Sequence, residues 1–227
     1  MINTTVPGVV DDLHHRLRAV GTAAVSDALD RLGLPGSAAG IAPLAPGQHM
    51  VGPAMTVRYV PIGAKRGTVG DYLDECAPGQ VLVLDNGGRT DCTVWGDILT
   101  TLAHDKQVAG TVIHGVCRDV DRAITLGYPI YSCGRFMRTG KDRVEVADVQ
   151  STVSLGDVQV RPGDLVLGDD DGVVVIPFER AEEVADIARE IAHAEARIIE
   201  AAQRGAPLSE ARAQFGYHEL QRKRVTE

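Results

Sequence analysis

The stretch GDILTTLAHDKQVAGTVIHGVCRD, residues 96–119, decides how this 227-residue chain is read. Gly96 is followed by Asp97, and a second glycine-bearing turn ends in the pair Arg118-Asp119. Positions 98 to 117 separate Asp97 from Arg118, a spacing of twenty residues. A helix over Asp97–Gln107 and a strand over Ala109–His114 fill that gap, which predicts that both turns meet at one edge of a sheet. Two acids and an arginine then converge. Such a set suits a small anionic substrate held with a divalent cation: the arginine gives paired hydrogen bonds to a carboxylate or oxyanion, and a carboxylate holds the hard metal directly or through water.

Working outward, Met55–Val60 and Gln80–Leu84 are rich in valine and leucine, and Pro78-Gly79 marks the turn into the second of them. A loop over Asn86–Trp95, a helix near Asp119–Leu126 and a strand at Tyr128–Ser132 complete a βαβαβ rhythm. This predicts an α/β fold with a central, at least partly parallel sheet and functional loops at the strand C-termini. Two amphipathic segments, Val9–Val20 and Thr22–Leu32, form an N-terminal helical pair, with Thr22 as N-cap and Gly33 as the stop. After Gly140 come short strands and tight turns, Ser151–Leu155, Val158–Arg161, Leu165–Leu167 and Val173–Ile176, read as a β-rich half packed on the first. A long C-terminal helix over Phe178–Arg204, ended by Gly205 and Pro207, suggests a packing partner such as another subunit. Ser209–Glu227 reads as a further subunit contact or a frayed tail.

Acidic residues outnumber basic ones, 31 to 23, for a net charge of −8 without blocks of like charge. Nucleic acid is therefore not the expected partner. The longest apolar runs, such as Val81–Leu84 and Val173–Ile176, are strand-sized, far short of the ~20 residues of a membrane helix. Met1–Pro7 is uncharged and Asp11–Arg18 polar, which does not read as a signal peptide. A cytoplasmic protein is expected. A chain this long, read as one domain over residues 1–227, removes roughly 70% of its unfolded surface from water without staples. Cys76, Cys92, Cys117 and Cys133 lack zinc-site spacing and read as reduced thiols. Cys117 precedes Arg118 but has no histidine beside it, so a buried bystander is the reading.

Asp169-Asp170-Asp171-Gly172 looks like a calcium loop, but position 180, where a closing glutamate would stand, is Arg180. A tight hairpin turn explains it better. Gly87-Gly88 and Gly96 have no accompanying nucleotide-binding pattern. His14-His15 reads as a solvated pair, and His114 as a satisfied core histidine or a neighbour of the site. Asp97, Arg118 and Asp119 leave two readings open: helix caps with a surface ion pair, or a ligand site at successive strand ends.

At these residues the chain resembles the RraA-like superfamily. The likeness runs over roughly Gly21–Gly205: Val25-Ser26-Asp27-Ala28-Leu29 with Gly33, Val51-Gly52-Pro53-Ala54-Met55-Thr56-Val57, the Gly96–Leu99 turn, Arg118-Asp119, Pro162-Gly163-Asp164 and Asp169–Pro177. Its enzymatic branch contains divalent-metal-dependent class II aldolases acting on 4-hydroxy-4-methyl-2-oxoglutarate and 4-carboxy-4-hydroxy-2-oxoadipate. The resemblance implies a β/β/α sandwich like the phosphohistidine swivelling domain, assembled as a homotrimer or hexamer with sites at subunit interfaces.

It further implies that the amides of Gly96, Asp97, Ile98 and Leu99 bind a pyruvoyl carboxylate, and that Asp119 holds Mg²⁺ or Mn²⁺ largely through waters. Arg118 would bind the 2-oxo group and stabilise an enolate, while Asp97 would serve acid/base chemistry through a water. The same enolate arises from oxaloacetate, so decarboxylation is an expected second activity. A family glutamate that reaches a neighbouring copy's metal falls on Glu195, with Glu200 the runner-up and a solvated acidic face the alternative. Where many relatives carry an acid, this chain has Arg122. The basic segment Arg135–Arg143, with Arg138 and Lys141, suits a polycarboxylate or is a solvated loop. The superfamily also holds non-catalytic regulators of ribonuclease E, which tend to lack the acid at Asp119. A quinone methyltransferase label attached to relatives finds no nucleotide-type glycine loop here.

Overall fold

The computed structural model describes residues 7–64, 67–220 and 222. In chain order they form α1 (Pro7–Leu32), β1 (Ala42–Pro43), β2 (Met50–Pro61), β3 (Val81–Thr93), α2 (Asp97–Asp105), β4 (Gly110–Cys117), α3 (Val120–Leu126) and β5 (Ile130–Arg135). There follow β6 (Val144–Val149), β7 (Val153–Leu155), β8 (Val158–Val160), β9 (Leu165–Asp169), β10 (Gly172–Ile176), α4 (Ala181–Gln203) and α5 (Leu208–Gln214). They fall into two compact units, Ser37–Phe178 and the chain up to Gly36 together with that from Glu179 on.

In the Ser37–Phe178 unit, β2, β3, β4 and β5 run parallel, with Ala54 opposite Val81, Val81 opposite Gly110 and Thr111 opposite Ile130. The crossovers α2 and α3 lie between β3, β4 and β5, as the βαβαβ reading requires. Alternation divides each strand between two cores. Leu82 and Leu84 join Met55, Val57, Ile113 and Ile130 on the face that also buries Trp95, Ala103 and Ala123. Val81 and Val83 join Val112 and Tyr131 on the other, against Val153, Leu155, Val158 and Val160 of the β7–β8 hairpin. Both faces are therefore covered, one by helices and one by β-structure, as a parallel sheet demands. Each large side chain buried this way contributes roughly 1.5–3 kcal/mol.

Two expectations change. Asn86–Trp95 is not a loop: β3 continues to Thr93, and after a glycine excursion Arg89 pairs with Gly115 and Thr93 with Val116. The segment after Gly140 is not a separate β-rich half. β2 is long enough to take two antiparallel partners on one edge, β9 along Met50–Pro53 and β6 along Val57–Pro61, so both belong to the same sheet. The basic segment itself connects β5 to β6, which begins just beyond it at Val144. The acidic turn behaves as expected: Asp169 pairs with Gly172 in a tight β9–β10 hairpin, and the Asp171 N–H donates to Asp169 Oδ1 at 3.0 Å.

In the other unit, the expected helical pair is α1 broken at Gly21, whose φ of 78° and ψ of 170° interrupt the helix. Gly33, at φ 68°, stops it, with the Leu34 N–H donating back to Leu29 O at 2.9 Å. α4 buries Val184, Ala188, Ile191 and Ile198 at helical spacing. Arg16 bonds Glu182 and Asp186 at 2.7 and 2.8 Å, which ties α1 to α4. The segment after Pro207 forms α5 and a short 3₁₀ turn, Tyr217–Glu219. The uncharged start, Met1–Val6, and the end of the chain from 223 lie outside the described residues. No described helix is long and apolar enough to cross a membrane.

Candidate active site

The end of β3, the turn Val94–Gly96 and the first turn of α2 meet the end of β4 where Arg118 and Asp119 begin the next crossover. The Arg118 N–H donates to Trp95 O at 3.0 Å, which fixes the two strand ends together. Trp95 is buried; its indole Nε1 donates to Thr100 Oγ1 at 2.9 Å, and its ring stacks on Tyr128 at 6.3 Å. Gly96 leaves room for the Arg118 and Asp119 side chains. A Cβ there would stand 2.7 Å from Asp119 Oδ2 and 3.2 Å from Arg118 Nε.

Asp119 itself takes the left-handed conformation at φ 55°, ψ 41°, which aspartate tolerates at a cost of roughly 1 kcal/mol. In that pose Oδ2 accepts the Asp97 N–H at 3.3 Å and lies 3.3 Å from Arg118 Nε. The Ile98 N–H donates to Asp97 Oδ1 at 2.8 Å. Carboxylates already sit on two of the first N–H groups of α2, the anion-receiving end of a helix. An anion arriving at this helix end would have to displace Asp97 from Ile98 or use the neighbouring Leu99 amide.

Gly96, Asp97, Ile98, Leu99 and Arg118 line a cavity of about 620 Å³, with Trp95 behind them. Its further lining includes Val69, Leu73, Leu102 and Lys141, none of which the sequence motifs signalled except the lysine. Arg118 and Asp119 are each about two-fifths exposed, open to a ligand. Arg122 is turned to α2 instead, donating from Nε to Thr101 Oγ1 at 3.0 Å. Arg138 stacks over Phe136 at 5.5 Å.

His114 is a satisfied histidine. Its Nδ1 lies 3.2 Å from Asp85 Oδ1, and Asp85 also accepts the N–H groups of Gly87 and Ser154 at 2.9 and 3.0 Å. Cys117 is buried, and burial pushes its thiol above the ordinary value, which disfavours the thiolate that nucleophilic work needs.

Among the described residues no group of three His, Cys, Asp or Glu side chains could enclose a metal. Asp119 offers one oxygen, Oδ1, that takes no hydrogen bond from a described residue. A single open carboxylate oxygen beside an anion-binding helix end fits a hard divalent cation that keeps most of its waters. Glu195 and Glu200 lie on α4, in the other unit. Glu200 is an exposed residue paired with Arg204 at 2.5 Å. Glu195 is half-buried, and burial, then the charge of Asp27, raises its carboxyl above the ordinary value. Asp27, which the resemblance includes within Val25–Leu29 but gives no role, is thus an acidic neighbour of Glu195.

A family model described as RraA-like, Aldolase/RraA, matches residues 22–175. DlpA of Legionella pneumophila is 38% identical over 95% of the chain, which spans about a third (35%) of DlpA's length. A Halalkalibacterium halodurans protein provisionally named 4-hydroxy-4-methyl-2-oxoglutarate aldolase is 35% identical, over 78% of the chain and 82% of its own. An uncharacterized Pseudomonas syringae pv. tomato protein of known structure superposes at TM-score 0.83 with 42% identity, covering 89% of this chain and 97% of that one. Streptomyces coelicolor RraAS2, described as an unusual member of the RNase ES inhibitor RraA family, superposes at 0.73 with 31% identity, over 86% and 96% of the two chains.

Proposed function

Because the chain belongs to the RraA-like family, we propose that it is a divalent-metal-dependent lyase that cleaves 4-hydroxy-2-oxo acids to pyruvate. The substrates in view are 4-hydroxy-4-methyl-2-oxoglutarate and 4-carboxy-4-hydroxy-2-oxoadipate, with oxaloacetate decarboxylation as a second activity. One observation carries this reading: Arg118 and the N-terminal residues of α2 line one cavity, and Asp119 touches both, with Oδ2 3.3 Å from the Asp97 N–H and from Arg118 Nε. The name of the Halalkalibacterium relative supports the same chemistry.

The substrate carboxylate is received by the first amides of α2, at Ile98 and Leu99. Arg118 holds the 2-oxo oxygen, where negative charge develops, and a fixed guanidinium there favours the transition state over the ground state. Asp97, through a water, takes the 4-hydroxyl proton. The C4 oxygen then forms a carbonyl as the C3–C4 bond breaks, and the bonding pair passes into the pyruvate enolate. The same acid/base pair returns a proton to C3. Asp119 would hold Mg²⁺ or Mn²⁺, which supplies Lewis-acid polarisation of the 2-oxo acid.

On this reading the protein is cytoplasmic and its layers form a β/β/α sandwich of the swivelling-domain kind within one RraA-like domain. It assembles as a trimer or hexamer in which Glu195 serves a neighbouring copy. Exposed apolar residues on the Ser37–Phe178 unit, Ile98 and Leu102 at the cavity and Met137 beyond it, support coverage by another copy. The second reading, inhibition of an RNase E-type enzyme, is favoured by the likeness to RraAS2. Pyruvate release measured with Mg²⁺ or Mn²⁺ and again with chelator separates them. Metal-dependent release, cut at least ~100-fold by Arg118→Ala and by Asp119→Ala with the fold intact, supports the lyase; no release from any of the three acids by metal-loaded protein moves the weight to the regulator.

A further inference from the structure

The two peptide groups that flank the Asp97 Cα are each held at both ends. In the Gly96–Asp97 peptide, the N–H donates to Asp119 Oδ2 at 3.3 Å and Gly96 O accepts the Thr100 hydroxyl at 2.9 Å. In the Asp97–Ile98 peptide, the N–H donates to Asp97 Oδ1 and Asp97 O accepts the Thr101 hydroxyl, both at 2.8 Å. Each threonine gives its single hydroxyl proton to a carbonyl, so its oxygen is left to accept from elsewhere. Thr100 Oγ1 accepts from Trp95 Nε1 at 2.9 Å, and Thr101 Oγ1 accepts from Arg122 Nε at 3.0 Å.

The two holds differ in depth. Trp95 is buried, and its N–H donates to the hydroxyl of Thr93, which bridges in turn to Thr139. Arg122 is an exposed residue of α3 whose guanidinium bonds Thr101 and forms no ion pair among the described residues. Its own N–H donates to Asp119 O at 3.2 Å, so one turn of chain carries both Arg122 and the acid that accepts the Asp97 N–H. That turn therefore grips Asp97 from two sides, at its N–H through Asp119 and at its carbonyl through Arg122 and Thr101. The first turn of a helix otherwise frays. A charge-assisted bond at the outer link keeps the Thr101 oxygen turned so that its proton stays on Asp97 O. A carboxylate at 122 would have no proton to offer Thr101.

We infer that Arg122 is a positioning residue for Asp97, acting through Thr101, an inference that rests on the lyase reading in which Asp97 is the acid/base. Neither Arg122 nor Thr101 lines the cavity, so both act at one remove from the substrate. Arg122→Met keeps the stem and removes the donor, and Thr101→Val keeps the shape and removes the hydroxyl. Each should lower kcat for pyruvate release about tenfold, with KM within about threefold of the wild type. Because the two act in series, the double variant should lose no more than either alone. Thr101→Ser, which keeps the hydroxyl, should retain the wild-type rate. Hydrogen exchange read by mass spectrometry over residues 96–102 should quicken in Arg122→Met and Thr101→Val and not in Thr101→Ser. An unchanged kcat, a KM that rises as much as kcat falls, losses that multiply in the double variant, or exchange equal to the wild type overturns the inference and leaves the lyase standing. If the wild-type protein releases no pyruvate from any of the three acids, the lyase reading fails by itself. Exchange alone then decides: unchanged exchange in Arg122→Met overturns its hold on Asp97, and quickened exchange matched by Thr101→Val upholds it.

Discussion

Asp119 Oδ2 accepts the N–H of Asp97 at 3.3 Å, so the acid that begins the β4–α3 crossover rests on the first amide of the β3–α2 crossover. The contact needs an empty position between them, and Gly96 supplies it.

Gly96→Ala should therefore disable the site without unfolding the chain. The added methyl meets the ends of Asp119 and Arg118, which can swing away, and not rigid backbone. We expect pyruvate release to fall at least about tenfold while the melting temperature stays close to that of the wild type. Undiminished turnover would show that the Asp119 position is irrelevant to the chemistry.

The Asp85 carboxylate joins three strands, accepting from Gly87 and Ser154 and pairing with His114. Removing it strands two N–H groups and a ring nitrogen. Asp85→Ala should cost about 2–4 kcal/mol in urea unfolding, and a loss within experimental error would mean that solvent replaces all three contacts.

The fold was legible wherever local pattern and tertiary pairing agree. Leu82 and Leu84 against Val81 and Val83 mark a strand buried on both faces, and Gly21 and Gly33 bound the second helical segment of α1. The Asn86–Trp95 misreading has a clear cause. Gly87 and Gly88 adopt φ values of 61° and 68° and read as breakers, yet the strand re-pairs beyond them. Local sequence does not report that recovery. Nor does it report that β6 and β9 find successive stretches of β2. At the site, Asp97, Arg118 and Asp119 were legible because the twenty-residue gap holds one helix and one strand. The left-handed pose of Asp119 and the Thr93–Thr139 bridge were not, because both are set by contacts between segments far apart in the chain.

Glu195 makes a pH prediction. Its carboxyl is raised first by burial and then by Asp27, so the folded chain holds that proton to higher pH than the unfolded chain does. The folded state then binds more protons in the window above about pH 4.3, the ordinary glutamate value, and the group's contribution to stability falls as pH rises through it. Glu195→Gln removes the loss, so the variant's melting temperature should gain on the wild type as pH rises from about 4 to about 7. A gain that grows toward acid pH would contradict the burial argument.

Thiol chemistry follows exposure. Burial pushes Cys76 up to about 11 and also raises Cys92 and Cys117, and all three are buried, whereas Cys133 is partly exposed. Native protein treated with iodoacetamide at about pH 8 should carry at most one adduct, at Cys133. Early labelling of Cys117, read by mass spectrometry, would reopen the case for a reactive thiol beside Arg118.

Whether this site makes an enolate at all can be asked without knowing the physiological substrate. Pyruvate in D₂O, followed by proton NMR with the metal-loaded protein, should lose its methyl signal faster than the protein-free blank. Oxalate should suppress the exchange, and Arg118→Ala should slow it at least ~100-fold. Exchange no faster than the blank, by folded protein with Mg²⁺ or Mn²⁺ present, would contradict the enolate chemistry on which the lyase reading depends.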